Sequence, residues 1–384
     1  MNAEERALAP VREEIDRIDG ELLRLFVRRM DCARAVARIK KESGQPIYRP
    51  EREREILERA EREGEEYGAA ARSFFSGLME LSRTLQREER EGGQPLRRQL
   101  EKAPRALPLL PGEAVACQGM TGSFSEEAAR IRFGDRPRRF FPQFADVFDA
   151  LAREECPVGV LPSENSSAGP VEEVYELLRE ERLFIIGTVE VPVSHCLCGK
   201  KGARVEEIRT VYSHPQALAQ CSAWLRAQGK EGKDYSNTAA AARMVAEQGD
   251  LSRAVICSRQ AAEEYGLEIL SENIQNEQNN RTRFIVVSKR LILPEGADRI
   301  SICLTLPHVS GSLCRILQRF AFHGHNLTRI QSVPIPESPF DYRFFVDFTG
   351  DLHAPGTVSL LCSLSEELPG FSLLGVGESA EAAD

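Results

Sequence analysis

The chain has 384 residues, enough at about 150 per domain for two or three domains, which excludes a single small module. Its 42% apolar and 28% charged residues are ordinary for a globular protein, and no run approaches the roughly 18 uninterrupted apolar residues of a membrane helix. Fifty basic against fifty-nine acidic residues give a net charge of -9, which opposes binding a polyanion and argues against nucleic acid as a partner. The opening MNAEERALAPVREEI is charged throughout and does not read as a secretory signal. The ten cysteines, spread from Cys32 to Cys362 without a C-x-x-C pair, read as buried free thiols, and both observations point to the cytoplasm.

Charge density sets the first boundary. Residues 1–91 carry 40 charged side chains, whereas the remaining 293 residues carry 69. Leu8, Val11, Ile15, Ile18, Leu22 and Leu25 recur at steps of three and four, and Cys32, Val36 and Ile39 continue the series, which predicts one long amphipathic helix. Ser43-Gly44-Gln45-Pro46 stops it, a short helix follows over about 51–62, and a third carries Phe75, Leu78, Met79 and Leu85. A helix of about 38 residues spans roughly 57 Å. Two shorter helices cannot cover a stripe of that length, so a second copy of the chain is the expected partner and the segment reads as a helical homodimer.

Residues 92–112 are rich in Gly and Pro and read as a linker. Over 113–290, strands at Val158–Leu161, Thr210–Tyr212, Ala254–Cys257 and Phe284–Val287 alternate with helices such as 171–180 and 238–248, the pattern of an α/β domain with a largely parallel sheet. Residues 298–378 read strand, helix, strand, strand, helix and a final apolar stretch, which fits a ferredoxin-like α+β unit. The fold class is therefore multidomain: all-α, then two-lobed α/β, then α+β.

The informative positions are those that break these patterns. The first helix has Arg29 where its stripe calls for an apolar residue, with Arg12 flanking the stripe and Lys40 ending it. The third helix puts Ser82 and Gln86 at i, i+4, on one face. A guanidinium there is either a structural ion pair or part of a site. As a site, the set suits a small polycarboxylate, with guanidinium forks on carboxylates and an ammonium and an amide facing an oxygen that gains charge. No His lies in this segment, so positioning and electrostatics fit better than covalent catalysis.

These residues resemble the helical chorismate mutases, over about Leu8 to Gln86. By position, V-R-E-E-I supplies Arg12, V-R-R-M Arg29, R-I-K Lys40, E-R-E Arg52 and Glu53, and L-S-R-T-L-Q Ser82 and Gln86. The resemblance implies that Arg12 reaches into the partner's site while Arg29 stays in its own, together holding the two carboxylates of chorismate. It also implies that Lys40 and Gln86 bond the ether oxygen. Arg49 stands where an acidic residue is often found, which alters the contact to the substrate's hydroxyl.

The second domain carries three polar strings at strand ends, where open α/β sheets place ligands. They are S-E-N-S-S-A-G from Ser163, S-H-P-Q from Ser213 with Gln220 on the helix it opens, and N-N-R-T-R-F from Asn279. Singly each is turn and cap chemistry; together they suggest a cleft. They resemble prephenate dehydratase, over about 115–290. The resemblance implies an essential Thr282 beside the leaving hydroxyl, with Glu164, Asn165, Ser213 and Gln220 lining the cleft and Arg283 in the substrate-binding set. Thr282 is a poor acid, so Glu164 and His214 are the titrating candidates, although His214 reads first as a helix-start residue and His195 as structural.

The last unit resembles the ACT regulatory domain, which implies a phenylalanine effector site at Gly311, Leu313, Asn326, Leu327 and Ser332. Its expected E-S-R-P string is Gln331-Ser332-Val333-Pro334 here, which removes an ion pair and weakens feedback. The leading reading is an enzyme that takes chorismate through prephenate to phenylpyruvate, with no metal and no cofactor. The alternatives are a non-catalytic amino-acid or carboxylate-sensing protein, and a mutase fused to a nicotinamide-dependent dehydrogenase. The latter needs a G-x-G-x-x-G turn that Gly119 and Gly122 do not supply.

Overall fold

The computed structural model describes residues 3–90, 93–248, 250–335, 338, 340–368 and 370–381. The N-terminal unit is α1 (Ala3–Ser43), α2 (Pro50–Glu63) and α3 (Gly68–Arg90). Only the C-terminal half of α1 packs on α3. There Met30, Ala33 and Ala37 are buried, small side chains at helical spacing that let two backbones approach closely.

Residues 92–112 are not a simple linker. Gln94–Lys102 form a helix, α4, because Pro95 sits in its first turn, where the missing N–H costs nothing, and Leu96 and Leu100 share one buried face. That face joins the core of the C-terminal unit with Leu361 and Leu364. The entry glycine is required: Gly93 has φ 68°, and a Cβ there would lie 2.3 Å from that of Cys362.

The second unit runs β1 (Val115–Gln118), α5 (Phe124–Phe133), β2 (Arg138–Phe141), α6 (Phe144–Ala152), β3 (Val158–Asn165), β4 (Gly169–Pro170), α7 (Glu172–Glu180) and β5 (Phe184–Pro192). The chain then crosses to a second lobe of β6 (Cys196–Gly199), β7 (Thr210–Ser213), α8 (Pro215–Gln220), α9 (Ser222–Ala227), β8 (Glu231–Asp234), α10 (Thr238–Gln248), β9 (Arg253–Cys257), α11 (Arg259–Glu264) and β10 (Glu268–Ser271). It returns through β11 (Arg281–Ser288). The expectation of a largely parallel sheet holds for β1 with β2 and β3, and for β7 with β8 and β9. It fails where the lobes connect: β11 re-enters antiparallel between β3 and β5, because one strand leaves the first lobe and the other comes back.

The C-terminal unit is β12 (Arg299–Thr305), α12 (Ser312–Phe322), β13 (Leu327–Pro334), β14 (Tyr342–Thr349), α13 (Pro355–Glu367), β15 (Ser372–Gly377) and β16 (Ser379–Glu381). Its sheet does not stand apart. The order β13-β14-β12-β15-β5-β11-β3-β1-β2 is continuous, and β16 also pairs with β5. The junction needs Gly375, whose φ is 145° and whose Cβ would meet Ile185 O at 2.1 Å.

Candidate functional site

Two of the cavities in the structure gather the expected site residues of the first and second units, and these two share no lining residue. The first, of about 380 Å³, lies between α1, α2 and α3. Arg29, Lys40, Arg49, Arg52, Glu53, Ser82 and Gln86 all line it, together with Arg83, which sequence reasoning passes over although it sits in the same L-S-R-T-L-Q string. Arg29 is fixed by donating to Ser82 Oγ and, at 3.1 Å, to Leu78 O. Lys40 Nζ donates to Ile47 O at 2.6 Å. Burial lowers the pKa of Arg29, and burial with the neighbouring Arg49 lowers that of Lys40; Glu53 offsets each shift only in part. Gln86 Oε1 is buried with no hydrogen-bond partner, an open acceptor, and only the Nε2–H of this amide can donate to a ligand oxygen. Arg49 bonds Gln45, and Glu53 is held by Arg83. Arg12 is exposed on α1, about 25 Å along the helix from Arg29, and cannot reach this cavity within its own chain.

The second cavity, about 550 Å³, is the cleft between the two lobes of the α/β unit. Thr282 and Asn165 sit opposite each other on β11 and β3, and Asn165 Nδ2 donates to Thr282 Oγ1 at 2.9 Å. Asn165 is itself locked: Nδ2 also donates to Asn280 Oδ1 at 2.8 Å, and Oδ1 accepts from Ser167 N and Ala168 N. Asn280, 3% exposed, is a positioning residue that sequence reasoning missed, although it lies in the N-N-R-T-R-F string. From the other side, Gln220 Oε1 accepts from His195 Nε2 at 2.9 Å, and both residues line the cleft. Burial lowers the His195 pKa, partly offset by Gln220, and keeps the ring neutral at pH 7. His214 also lines the cleft, with Nδ1 accepting from Gln216 N at 3.2 Å as the cap of α8.

Three residues expected at this site lie elsewhere. The string from Ser163 begins in strand and turns only at 166–168: β3 continues through Pro162 to Asn165 because β11 pairs alongside it. Alternation along that strand points Asn165 into the cleft and Glu164 to the opposite face of the sheet. There Arg283 bridges Glu164 at 3.0 Å and Glu190 at 2.7 Å, so neither Glu164 nor Arg283 lines the cleft. Ser213 is fully buried and donates to Ile256 O at 2.7 Å, supporting the cleft from behind.

No Asp, Glu, Lys or Arg is among the described residues lining this cleft. What the cleft offers an anion comes from backbone. The N-terminal ends of α5 (Ser123 to Ser125) and α10 (Ser236 to Thr238) form part of the wall, where helix dipoles favour an anion. Among the described residues no group of three or more His, Cys, Asp or Glu side chains is placed to hold a metal ion. Among the described residues no helix is long and apolar enough to cross a membrane.

Two cavities so different, one walled by cations on helices and one by helix ends and amides around a hydroxyl, define a protein with two independent centres for small anionic molecules. Residues 11–87 match the family described as chorismate mutase type II, and residues 115–291 match prephenate dehydratase. The bifunctional chorismate mutase/prephenate dehydratase of Aquifex aeolicus is 32% identical over 372 residues, which cover 96% of this chain and 97% of that one. A structure described as prephenate dehydratase in complex with L-Phe, from Arthrobacter aurescens, is 30% identical with a TM-score of 0.64, covering 69% of this chain and 89% of that one. A quorum-quenching acylase, GqqA, is 31% identical with a TM-score of 0.64, covering 70% and 98%. The chain belongs to the bifunctional chorismate mutase/prephenate dehydratase family. It carries both activities on one polypeptide and is an enzyme, not the non-catalytic sensor weighed against it.

Proposed function

We propose that chorismate rearranges to prephenate in the α1–α3 cavity and that prephenate loses water and carbon dioxide in the two-lobed cleft. The observation that carries this reading is the gathering of Arg29, Lys40, Arg49, Arg52, Glu53, Ser82 and Gln86 around one cavity. The rearrangement breaks a C–O bond and forms a C–C bond within one molecule, so it needs no nucleophile. Arg29 grips one carboxylate, Lys40 and Gln86 face the ether oxygen as it gains charge, and Glu53 with Arg52 and Arg49 meets the ring hydroxyl. The second carboxylate falls to Arg12 of another copy. That assignment is supported by Leu8, Val11, Ile15, Ile18, Leu22 and Leu25, which stand 40–58% exposed along one stripe of α1, a face that a homodimer would cover.

In the cleft, the ring carboxylate departs as carbon dioxide, its electron pair enters the ring, and the hydroxyl leaves with one proton. Asn165 occupies a lone pair of Thr282 Oγ1, which leaves the Thr282 O–H to point at the departing hydroxyl. Thr282 passes its proton to the departing hydroxyl, which leaves as water, and takes one up from solvent, since an alcohol is too weak an acid to be left as an alkoxide. The neutral His195 and Gln220 bind and orient.

Residues 1–91, 113–290 and 298–378 act as mutase, dehydratase and ACT-type regulatory domains. The βαββαβ order and edge strand β13 support a ferredoxin-like sensor, and the L-Phe complex of the Arthrobacter relative supports phenylalanine as effector. A cavity of about 380 Å³ at the start of α12 is lined by Leu306, Val309, Leu313, Tyr342 and Phe344, with Gly311 at the helix cap. Asn326 and Ser332 are exposed and Leu327 packs on the core, so these three would join an effector site only through a second copy. A cytoplasmic location fits ten cysteines that are all free. The test is to add chorismate without cofactor and follow chorismate, prephenate and phenylpyruvate, with and without phenylalanine. Phenylpyruvate must appear; intact chorismate and intact added prephenate would refute the reading.

A further inference from the structure

The mutase cavity does not end at its own helices. Arg83, which lines it, is buried and bridges two carboxylates, Glu53 at the cavity wall and Glu80 behind it. Glu80, 5% exposed, also faces Arg87 at 3.4 Å and Arg319 at 3.9 Å. Arg319 belongs to α12, in the C-terminal unit, and is 2% exposed. It pairs with Glu367 and donates to Ser363, both on α13, while Arg87 pairs with Glu367 as well. Three guanidiniums and three carboxylates thus form one cluster of formal charge zero, buried at Glu80, Arg83 and Arg319 and open to solvent at Glu367. It runs from the mutase wall to the C-terminal unit through two shared carboxylates.

The buried part, Glu80 with Arg83 and Arg319, is poorly screened, so the loss of one charge there is felt by the others, and a change at the exposed Glu367 is felt less. Burial, then the like charge of Arg87, lowers the Arg319 pKa to about 9, which leaves it charged at neutral pH. Its Nε has no hydrogen-bond partner, which fits a residue held for its charge as well as its bonds. The neighbouring His323, 3.9 Å from Glu88, is kept neutral at pH 7 by burial and adds no charge.

We infer that Arg319 is a positioning residue for the mutase reaction: acting through Glu80 and Arg83, it holds Glu53 in place and sets the potential that a dianionic substrate meets. Without Arg319 the cluster carries a net negative charge, Arg83 must serve two carboxylates with less help, and the cavity repels the substrate. Without Glu367 the imbalance has the opposite sign. A purely structural role would make both losses act alike.

The inference rests on the assignment of the mutase cavity, so R29A is the control. In the full-length enzyme, R319M is expected to raise KM for chorismate about five-fold with a smaller change in kcat, and E367Q to lower KM about two-fold, as opposite charge changes require. R319K should return KM toward that of the unmodified enzyme. Turnover of supplied prephenate reports folding and should be unchanged throughout. If R319M and E367Q shift KM in the same direction, or neither shifts it while R29A abolishes mutase turnover, the inference fails and the cavity assignment stands. If R29A is fully active, the assignment itself fails. Should R319M not fold, E367Q decides alone: an unchanged or raised KM overturns the proposal.

Discussion

The two cavities are assigned substrates that each carry two carboxylates, and they meet that charge in different ways. The mutase wall uses cationic side chains, Arg29 and Lys40 among them, desolvated enough to lower their pKa values. The dehydratase cleft has no Lys or Arg among its described lining residues and offers helix ends, hydroxyls and amides. A three-helix unit aims few helix termini at one point, so its charge must come from side chains. A two-lobed α/β unit brings helix starts to the crevice by topology and can keep its wall neutral.

The largest effect expected of this contrast is at Arg29. Arg29→Ala should lower mutase kcat/KM by at least about 100-fold, the scale of losing one charged stabiliser, while dehydration of supplied prephenate continues. Next is Thr282→Ala, expected to lower dehydratase kcat about 100-fold with mutase turnover intact, as loss of a proton-transfer group does. Salt sharpens the comparison: raising ionic strength from 0.05 to about 0.5 M shortens the Debye length from roughly 14 to 4 Å and should raise KM for chorismate several-fold more than KM for prephenate. Equal salt responses would show that the cleft recruits charged side chains on closing.

The smallest effect concerns stability. Burial, then His325, depresses the His323 pKa to about 4, whereas the unfolded residue titrates near the ordinary histidine value of 6.5. The unfolded chain therefore binds a proton that the folded chain refuses, so this contribution is complete above pH 6.5 and is lost as pH falls toward 4. The melting temperature should drop over that window, and less steeply in His323→Gln.

How legible each site was follows from the same contrast. Arg29 and Lys40 announce themselves as breaks in an apolar helical period, and Ser82 and Gln86 share a face by spacing alone. The partnership of Thr282 with Asn165 spans 117 residues and exists only once β11 lies beside β3. Glu164 and Arg283 were misplaced because Pro162 reads as the end of a strand, yet the strand continues and alternation turns Glu164 away. Helix α4 was missed because Gly93 and Pro95 look like breakers when they are a helix start. The buried cluster around Arg319 was invisible for a different reason: nothing in a linear pattern says which polar helix faces will meet.

The shared sheet has a consequence for how the protein is made. β5 gains its neighbour β11 late, and its other edge is covered only by β15 and β16. The 189 residues between Pro192 and Glu381 take roughly 10 to 40 s to synthesise at the usual ribosomal pace. Throughout that interval a strand carrying Ile185, Ile186, Val189 and Val191 offers unpaired backbone groups to any passing chain. A ribosome that stops short of β15 therefore releases an open-edged lobe prone to aggregation, not a smaller working enzyme, and the dehydratase completes its fold only when the unit that follows it in the gene has been translated.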